Sequence, residues 1–292
     1  MTRTMTEPHG RHFDSQRLRL HYADWGNADA PLVLMVHGGY DHCRSWDWMA
    51  AGLRADWRVI APDLRGHGDS DWDTGGAYLL LNHVYDLARL VDHLQAEKVR
   101  IVGHSFGGFI SLLYAALFPE RTERALVIDP FIHYTPRRLR AQHTDAPAEV
   151  AREWFERAGR AEKRGTRPYP NEEEAMARLA VEHPHLSADQ VRHLTVHGLK
   201  RKEGGLYWKY DPYLAAMPPQ FLSGPETTAL WPNVTCPVLF LRGDACGEHS
   251  DPQRNGALDL FPDARSITIP GAGHWVHHNQ LERVLEEARR FL

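Results

Sequence analysis

Ser105 has a glycine two residues away on each side, in the run Gly103-His104-Ser105-Phe106-Gly107. The apolar VRIV before it reads as a short strand, and FISLLYAALF after it reads as a helix. The serine therefore falls on a strand-to-helix turn with the G-x-S-x-G spacing of a nucleophile elbow. Such a turn is tight and brings backbones close together, so glycine flanks it. A serine held there stands above the carboxyl end of a sheet, where the first amides of the next helix can bind a developing anion. The chemistry on offer is attack on a carbonyl.

A serine hydroxyl is a weak nucleophile and needs a base. The chain has nineteen histidines, so position must choose among them. His274, in IPGAGHWVHH, follows the last expected strand and precedes the final helix. That is the place of the base in the chain order serine, acid, histidine. His277 and His278 are neighbouring competitors, but the glycine turn directly precedes His274. A carboxylate must then orient the imidazole and stabilise its charged form. Asp129, ending a strand in VIDPF, and Asp244, in LRGDACGEHSD, both sit where strands meet loops. Glu248 and Asp251 are weaker candidates that need the loop to fold back.

These residues need a frame to hold them. RLRLHYAD (17–24) alternates like a half-buried strand at a sheet edge, and PLVLMVHGG (31–39) is a continuous apolar run suited to a strand buried on both faces. A helical SWDWMAAGLRA follows, then the strand WRVIAPD (57–63). HVYDLARLVDHLQA (83–96) puts Val84, Leu87, Leu90, Val91 and Leu94 on one helical stripe. VRIVG, the helix after Ser105 and RALVIDP (124–130) continue the alternation, which predicts a parallel sheet with helices on both faces. From 131 to about 231 the chain turns charged and helix-like with no convincing buried strand. CPVLFLRGD, ARSITIPGAGH and QLERVLEEARRFL then restore the rhythm. The expectation is one sheet domain, 1–130 with 232–292, interrupted by a helical lobe at 131–231.

The whole chain agrees with this. Its 292 residues suit one α/β domain with an insertion, and a net charge of -4 argues against a nucleic-acid or anionic-membrane surface. Cys43, Cys236 and Cys246 show neither a disulfide framework nor metal spacing. With no apolar leader in the first residues, a cytoplasmic protein is expected. No cofactor or metal is expected, and the protein is read as a monomer or homodimer. DLRGHGDSDW (63–72) lacks the Lys-Ser/Thr of a phosphate loop, and His67 with Asp63 and Asp71 has no ligand spacing. Arg65 and the glycines are read instead as braces for that loop. His42 lines a pocket or lies on the surface. In the lobe, Tyr207, Trp208, Tyr210 and Tyr213 cluster, with Trp154 and Trp231 elsewhere. They form either walls of an apolar pocket or lobe core.

The residues His37-Gly38-Gly39, APDLRGHGDSDW, GHSFGG and PGAGHWVHH, in that order, resemble the α/β-hydrolase fold family over roughly 15–130 and 232–292. The resemblance implies an α/β-hydrolase fold, a mostly parallel central sheet flanked by helices, with the lobe as a cap over the site. It also implies an oxyanion hole from the backbone amides of Gly39 and Phe106. In the family pattern the acid commonly lies three residues after the glycine ending the penultimate strand, and here that residue is Cys246. A thiol cannot replace a carboxylate there, so Asp129 is favoured, with Asp244 as the alternative. The expectation is a serine hydrolase with Ser105, His274 and Asp129 that cleaves a small carboxylic ester with an apolar part. Cleavage of a lactone or of a carbon-carbon bond beside a ketone uses the same residues. Cys246 also leaves open a ligand-binding homologue that has lost catalysis.

Overall fold

The structure, a computed structural model, describes residues 7–130, 147–164, 168–219, 222, 224–247 and 251–292. Eight strands form one sheet: β1 (His9–Ser15), β2 (Leu18–Asp24), β3 (Leu32–Val36), β4 (Arg58–Pro62), β5 (Val99–His104), β6 (Thr122–Ile128), β9 (Val238–Gly243) and β10 (Ala264–Ile269). A separate hairpin pairs β7 (Leu199–Lys202) with β8 (Gly205–Trp208). The sheet order is β1-β2-β4-β3-β5-β6-β9-β10. β1 runs antiparallel to β2, and β2 to β4, while every later neighbour is parallel.

The period of two in the strands sorts their side chains onto two cores. Leu34, Val36, Ile101, Val127 and Phe240 face α2 (Leu80–His93) and α3 (Ser105–Leu117). Val33, Met35, Val102, Leu126, Leu239 and Leu241 face α1 (Asp47–Leu53) and the final helix, α8 (Leu281–Phe291). Both faces are covered, so β3 and β9 are buried at every position and read as unbroken apolar runs. Val84, Leu87, Leu90 and Val91 are buried as their stripe requires. Among the described residues, no helix is long and apolar enough to cross a membrane.

Two expectations change. β2 is not the sheet edge, because β1 covers it along its length, from His9 opposite Asp24 to Ser15 opposite Leu18. β1 itself is polar and buries only Phe13 and Ser15, as suits a strand with one exposed side. The stretch between β6 and β9 holds α4 (Pro147–Arg164), α5 (Glu172–Glu182), α6 (Ala188–Gly198) and α7 (Gly224–Thr228), but also the β7-β8 hairpin. Its strands are four residues each, β7 (LKRK) charged and half-exposed and β8 (GLYW) only partly buried, so no long apolar run marks them. Ser187 starts α6 with a capping box: its hydroxyl accepts the Gln190 amide, and the Gln190 side chain accepts the Ser187 amide. Residues 131–146 and 165–167 of the expected lobe, and Glu248, lie outside the described residues.

Candidate functional site

β5 runs straight into α3, and Ser105, the first residue of that helix, has φ of 52°. A non-glycine residue in this left-handed region carries strain, which the surroundings must impose. The glycines impose it by close approach. A Cβ on Gly103 would lie 2.6 Å from the Cα of Gly108, and one on Gly107 would lie 2.2 Å from the carbonyl oxygen of His37. The elbow is thus wedged against the end of β3. The Gly38 backbone meets it, since a Cβ there would lie 3.3 Å from that of Ser105. The Phe106 amide falls in the first turn of α3, where amides have no partner within the helix. The Phe106 ring meets His83 edge-on at 5.2 Å.

His274 sits on the loop after β10. Its Nδ1–H donates to Oδ2 of Asp129 at 2.5 Å. Asp129 follows β6, also has a positive φ (39°), and its amide donates to the Leu241 carbonyl. The two ends of the pair differ in exposure. The His274 side chain is 46% exposed, while that of Asp129 is 5% exposed. An imidazole can thus reach a substrate while its orienting carboxylate stays dry. His104, next to Ser105, fixes the loop by donating its Nε2–H to the His274 carbonyl oxygen at 3.0 Å, and the two rings lie 4.7 Å apart.

Asp244 goes elsewhere. It is exposed, and its carboxylate accepts the Ala272 amide at 3.2 Å, capping the turn before His274. Backbone amides, first that of Gly271, hold its carboxyl below the usual range. Asp251 ties to Arg242 and caps its own turn. His277 and His278 are buried, the first stacked on Trp46 at 4.7 Å. His42 is neither a surface group nor open: it is buried and donates to the Leu194 carbonyl of α6.

The loop His37-Gly38-Gly39-Tyr40 is pinned by two histidines whose part the sequence did not suggest. His37 accepts the Leu64 amide through Nε2 and donates from Nδ1 to the Gly38 carbonyl. His67 accepts the Tyr40 amide through Nε2 and donates from Nδ1 to the Arg65 carbonyl. Only a neutral ring can accept, and burial depresses both pKa values, that of His67 to about 3. Arg65, buried, forks onto Asp86 at 2.7 and 2.8 Å and braces the loop from below. The signal for these roles was alternation of His and Gly in both loops, which spacing alone does not interpret.

Among the described residues, two groups have donor atoms close enough for a metal: His21, Cys43 and Asp63, and Asp47, His193 and His197. In the first, Asp63 already accepts from His21, the Cys43 amide and the Asp69 amide. In the second, the Arg44 guanidinium already occupies Asp47 and donates to His197. Asp71 accepts the Arg19 amide. These groups act as braces.

Aromatics of the segment between β6 and β9 divide by role. Trp231 is fully buried against Phe109 and Phe261, so it belongs to the core. Trp154 donates to the Ala216 carbonyl, Tyr213 is held at its amide by Asp211, and Tyr207 donates to the Glu203 carbonyl. Trp208 and Tyr210 lie parallel, and Tyr210 meets Tyr40 edge-on at 5.0 Å. These three, with Tyr169, Arg157 and Arg178, line a cavity of about 980 Å³ that reaches the loop of Gly39 at Tyr40.

A strained serine and a histidine–aspartate pair, linked through His104, thus lie at the carboxyl edge of the sheet. A model of the α/β-hydrolase fold matches residues 31–280, and the chain belongs to that family. It is similar to the esterase YbfF of Escherichia coli (strain K12), 28% identical over 269 residues, covering 90% of this chain and 93% of that protein. A serine hydrolase-like protein of Danio rerio is 29% identical over 188 residues, or 64% of this chain, and the match spans 57% of that relative's length. A thioesterase domain from the curacin biosynthetic pathway has the same fold, with a TM-score of 0.84 over 97% of this chain and 99% of that domain, at 17% identity.

Proposed function

We propose that this hydrolase cleaves small carboxylic esters through an acyl-enzyme on Ser105. The observation that carries the reading is the His274–Asp129 hydrogen bond beside a serine held at positive φ. Ser105 Oγ attacks the ester carbonyl carbon, and its proton passes to His274 Nε2. The tetrahedral oxyanion is held by the amides of Gly39 and Phe106, each donor worth about 3 kcal/mol. The intermediate collapses, and the alcohol leaves with the proton from His274. Water then adds to the acyl carbon and gives its proton to His274. The acid departs, and the proton returns to Ser105. Asp129 holds the imidazole in the Nδ1–H tautomer throughout.

The bracing by His37 and His67 supports Gly39 as a fixed amide donor. The segment between β6 and β9 is the cap. It is fastened to loops at the carboxyl edge by Tyr78 donating to Asp211, Gln190 to the His278 carbonyl, and His42 to Leu194. Its Trp208 and Tyr210, with Tyr40 of the Gly39 loop, form an aromatic wall that supports an apolar part in the substrate, in a cavity also lined by Arg157, Arg160, Lys163 and Arg178. The relative named as an esterase supports the same chemistry.

The test is the intact mass after a fluorophosphonate, with Ser105→Ala as control. One adduct on the wild type and none on the variant is expected. A folded wild type that takes no adduct would turn the reading toward a ligand-binding protein without catalysis.

A further inference from the structure

We propose that Cys246 is a positioning residue for this reaction, its thiol holding the Asp129 carboxylate in place for His274. The inference rests on the reading of Asp129 as the acid. Cys246 Sγ lies 3.2 Å from Oδ2 of Asp129, the same oxygen that accepts His274 Nδ1–H. The other oxygen, Oδ1, is buried and has no hydrogen-bond partner among the described residues. Apart from His274, the group to be oriented, only Cys246 among the described residues bonds this carboxylate. A carboxylate cannot set the angle of an imidazole if the imidazole alone sets the angle of the carboxylate. An independent donor is needed, and the thiol supplies it.

The thiol is itself placed by backbone. β6 and β9 are parallel neighbours with Ile128 opposite Leu241, which puts Asp129 and the turn after Gly243 side by side. The Cys246 amide donates to the Gly243 carbonyl, and Arg242 donates to the Cys246 carbonyl at 2.7 Å. Gly243 packs so tightly on the loop leading to His274 that a Cβ there would lie 2.1 Å from the Ala272 carbonyl oxygen. The main chain of Cys246 is thus held independently of the bond that its thiol makes to Asp129.

The sulfur acts as a donor and not as a nucleophile. Burial and the neighbouring Asp129 charge push its pKa up to about 12, so it keeps its proton at neutral pH. S–H is a weak donor, but an ionised acceptor strengthens the bond. An acid at this position would set a second negative charge beside the first. An alanine would leave the carboxylate held from one side only.

The test compares kcat and KM for a p-nitrophenyl ester in the wild type, Cys246→Ala, Cys246→Ser and Asp129→Asn, with Tm for each. Removing one net hydrogen bond that bears on the transition state should lower kcat of Cys246→Ala about threefold to tenfold. KM should stay unchanged, because Cys246 does not touch substrate. Cys246→Ser keeps a donor of similar reach and should recover most of that loss, which a role in packing would not give. Should Cys246→Ala unfold, Cys246→Val fills the space without a donor and takes its place. Wild-type kcat in the donor-free variant, or a serine variant as slow as it, overturns the proposal alone. Wild-type kcat in Asp129→Asn would instead overturn the acid assignment on which it rests.

Discussion

At Asp129 and Asp244, two residues of one type end two adjacent strands, and what separates them is side-chain direction. Asp129 is turned inward by its positive φ and meets Nδ1 of His274, while Asp244 points to solvent and caps the Ala272 amide. Asparagine at 129 offers its amide to Nδ1 and favours the wrong tautomer, which should lower kcat about 10⁴-fold. Asp244→Asn should keep most of the activity. Steady-state kinetics on a p-nitrophenyl ester decide it, and a larger loss in Asp244→Asn would reverse the assignment. Sequence could nominate Ser105 and His274 as candidates because type, spacing and the flanking elements converge on each. It could bring the acid down to two positions and no further, since both follow a buried strand. The thiol at 246 could be read as a departure, but its bond to Asp129 needed coordinates.

Elements carry the site only if their junctions stay tight. Gly107 is the contact between α3 and the end of β3, and a methyl there would press on the carbonyl oxygens of Val36 and His37 at 2.3 and 2.2 Å. Both obstacles are backbone, so the helix must shift. Gly107→Ala should therefore cost about 1–3 kcal/mol of stability and slow labelling of Ser105 by fluorophosphonate. Wild-type urea stability with unchanged labelling would show that the junction has slack. Arg65 works the same way one loop along. Its loss would strand Asp86, buried beside Ser15, as an uncompensated charge at about 3–5 kcal/mol. Arg65→Met stability from urea unfolding measures it, and a change under 1 kcal/mol would refute the brace. The parallel strands were legible because burial on both faces leaves no room for polar residues. β1 and the β7-β8 hairpin were not, because one exposed side or four-residue length erases that pattern.

For the whole molecule, nineteen histidines are only a count until burial sorts them. His37, His67, His83, His104, His277 and His278 are all buried, and burial above all lowers each pKa, that of His278 to about 3. His104, His277 and His278 also crowd one another, with rings 4.7 and 4.2 Å apart, so a charge on one opposes a charge on the next. These rings stay neutral in the fold and ionise near 6.5 in the unfolded chain. Above that pH neither state holds the protons, and stability is at its full value. As pH falls below it, the unfolded chain binds protons that the fold refuses, and each such ring costs about 1.4 kcal/mol per pH unit. The loss continues toward pH 3, where His67 and His278 at last titrate in the fold. Asp63, whose carboxyl is depressed by its bonds to His21, adds to the loss only below 3.8. Urea midpoints at pH 8, 7, 6 and 5 should therefore be level over the first two and drop steeply over the last two. A flat series down to pH 5 would mean that the buried histidines accept protons in place, and the bracing of the Gly39 loop by neutral rings would have to be abandoned with it.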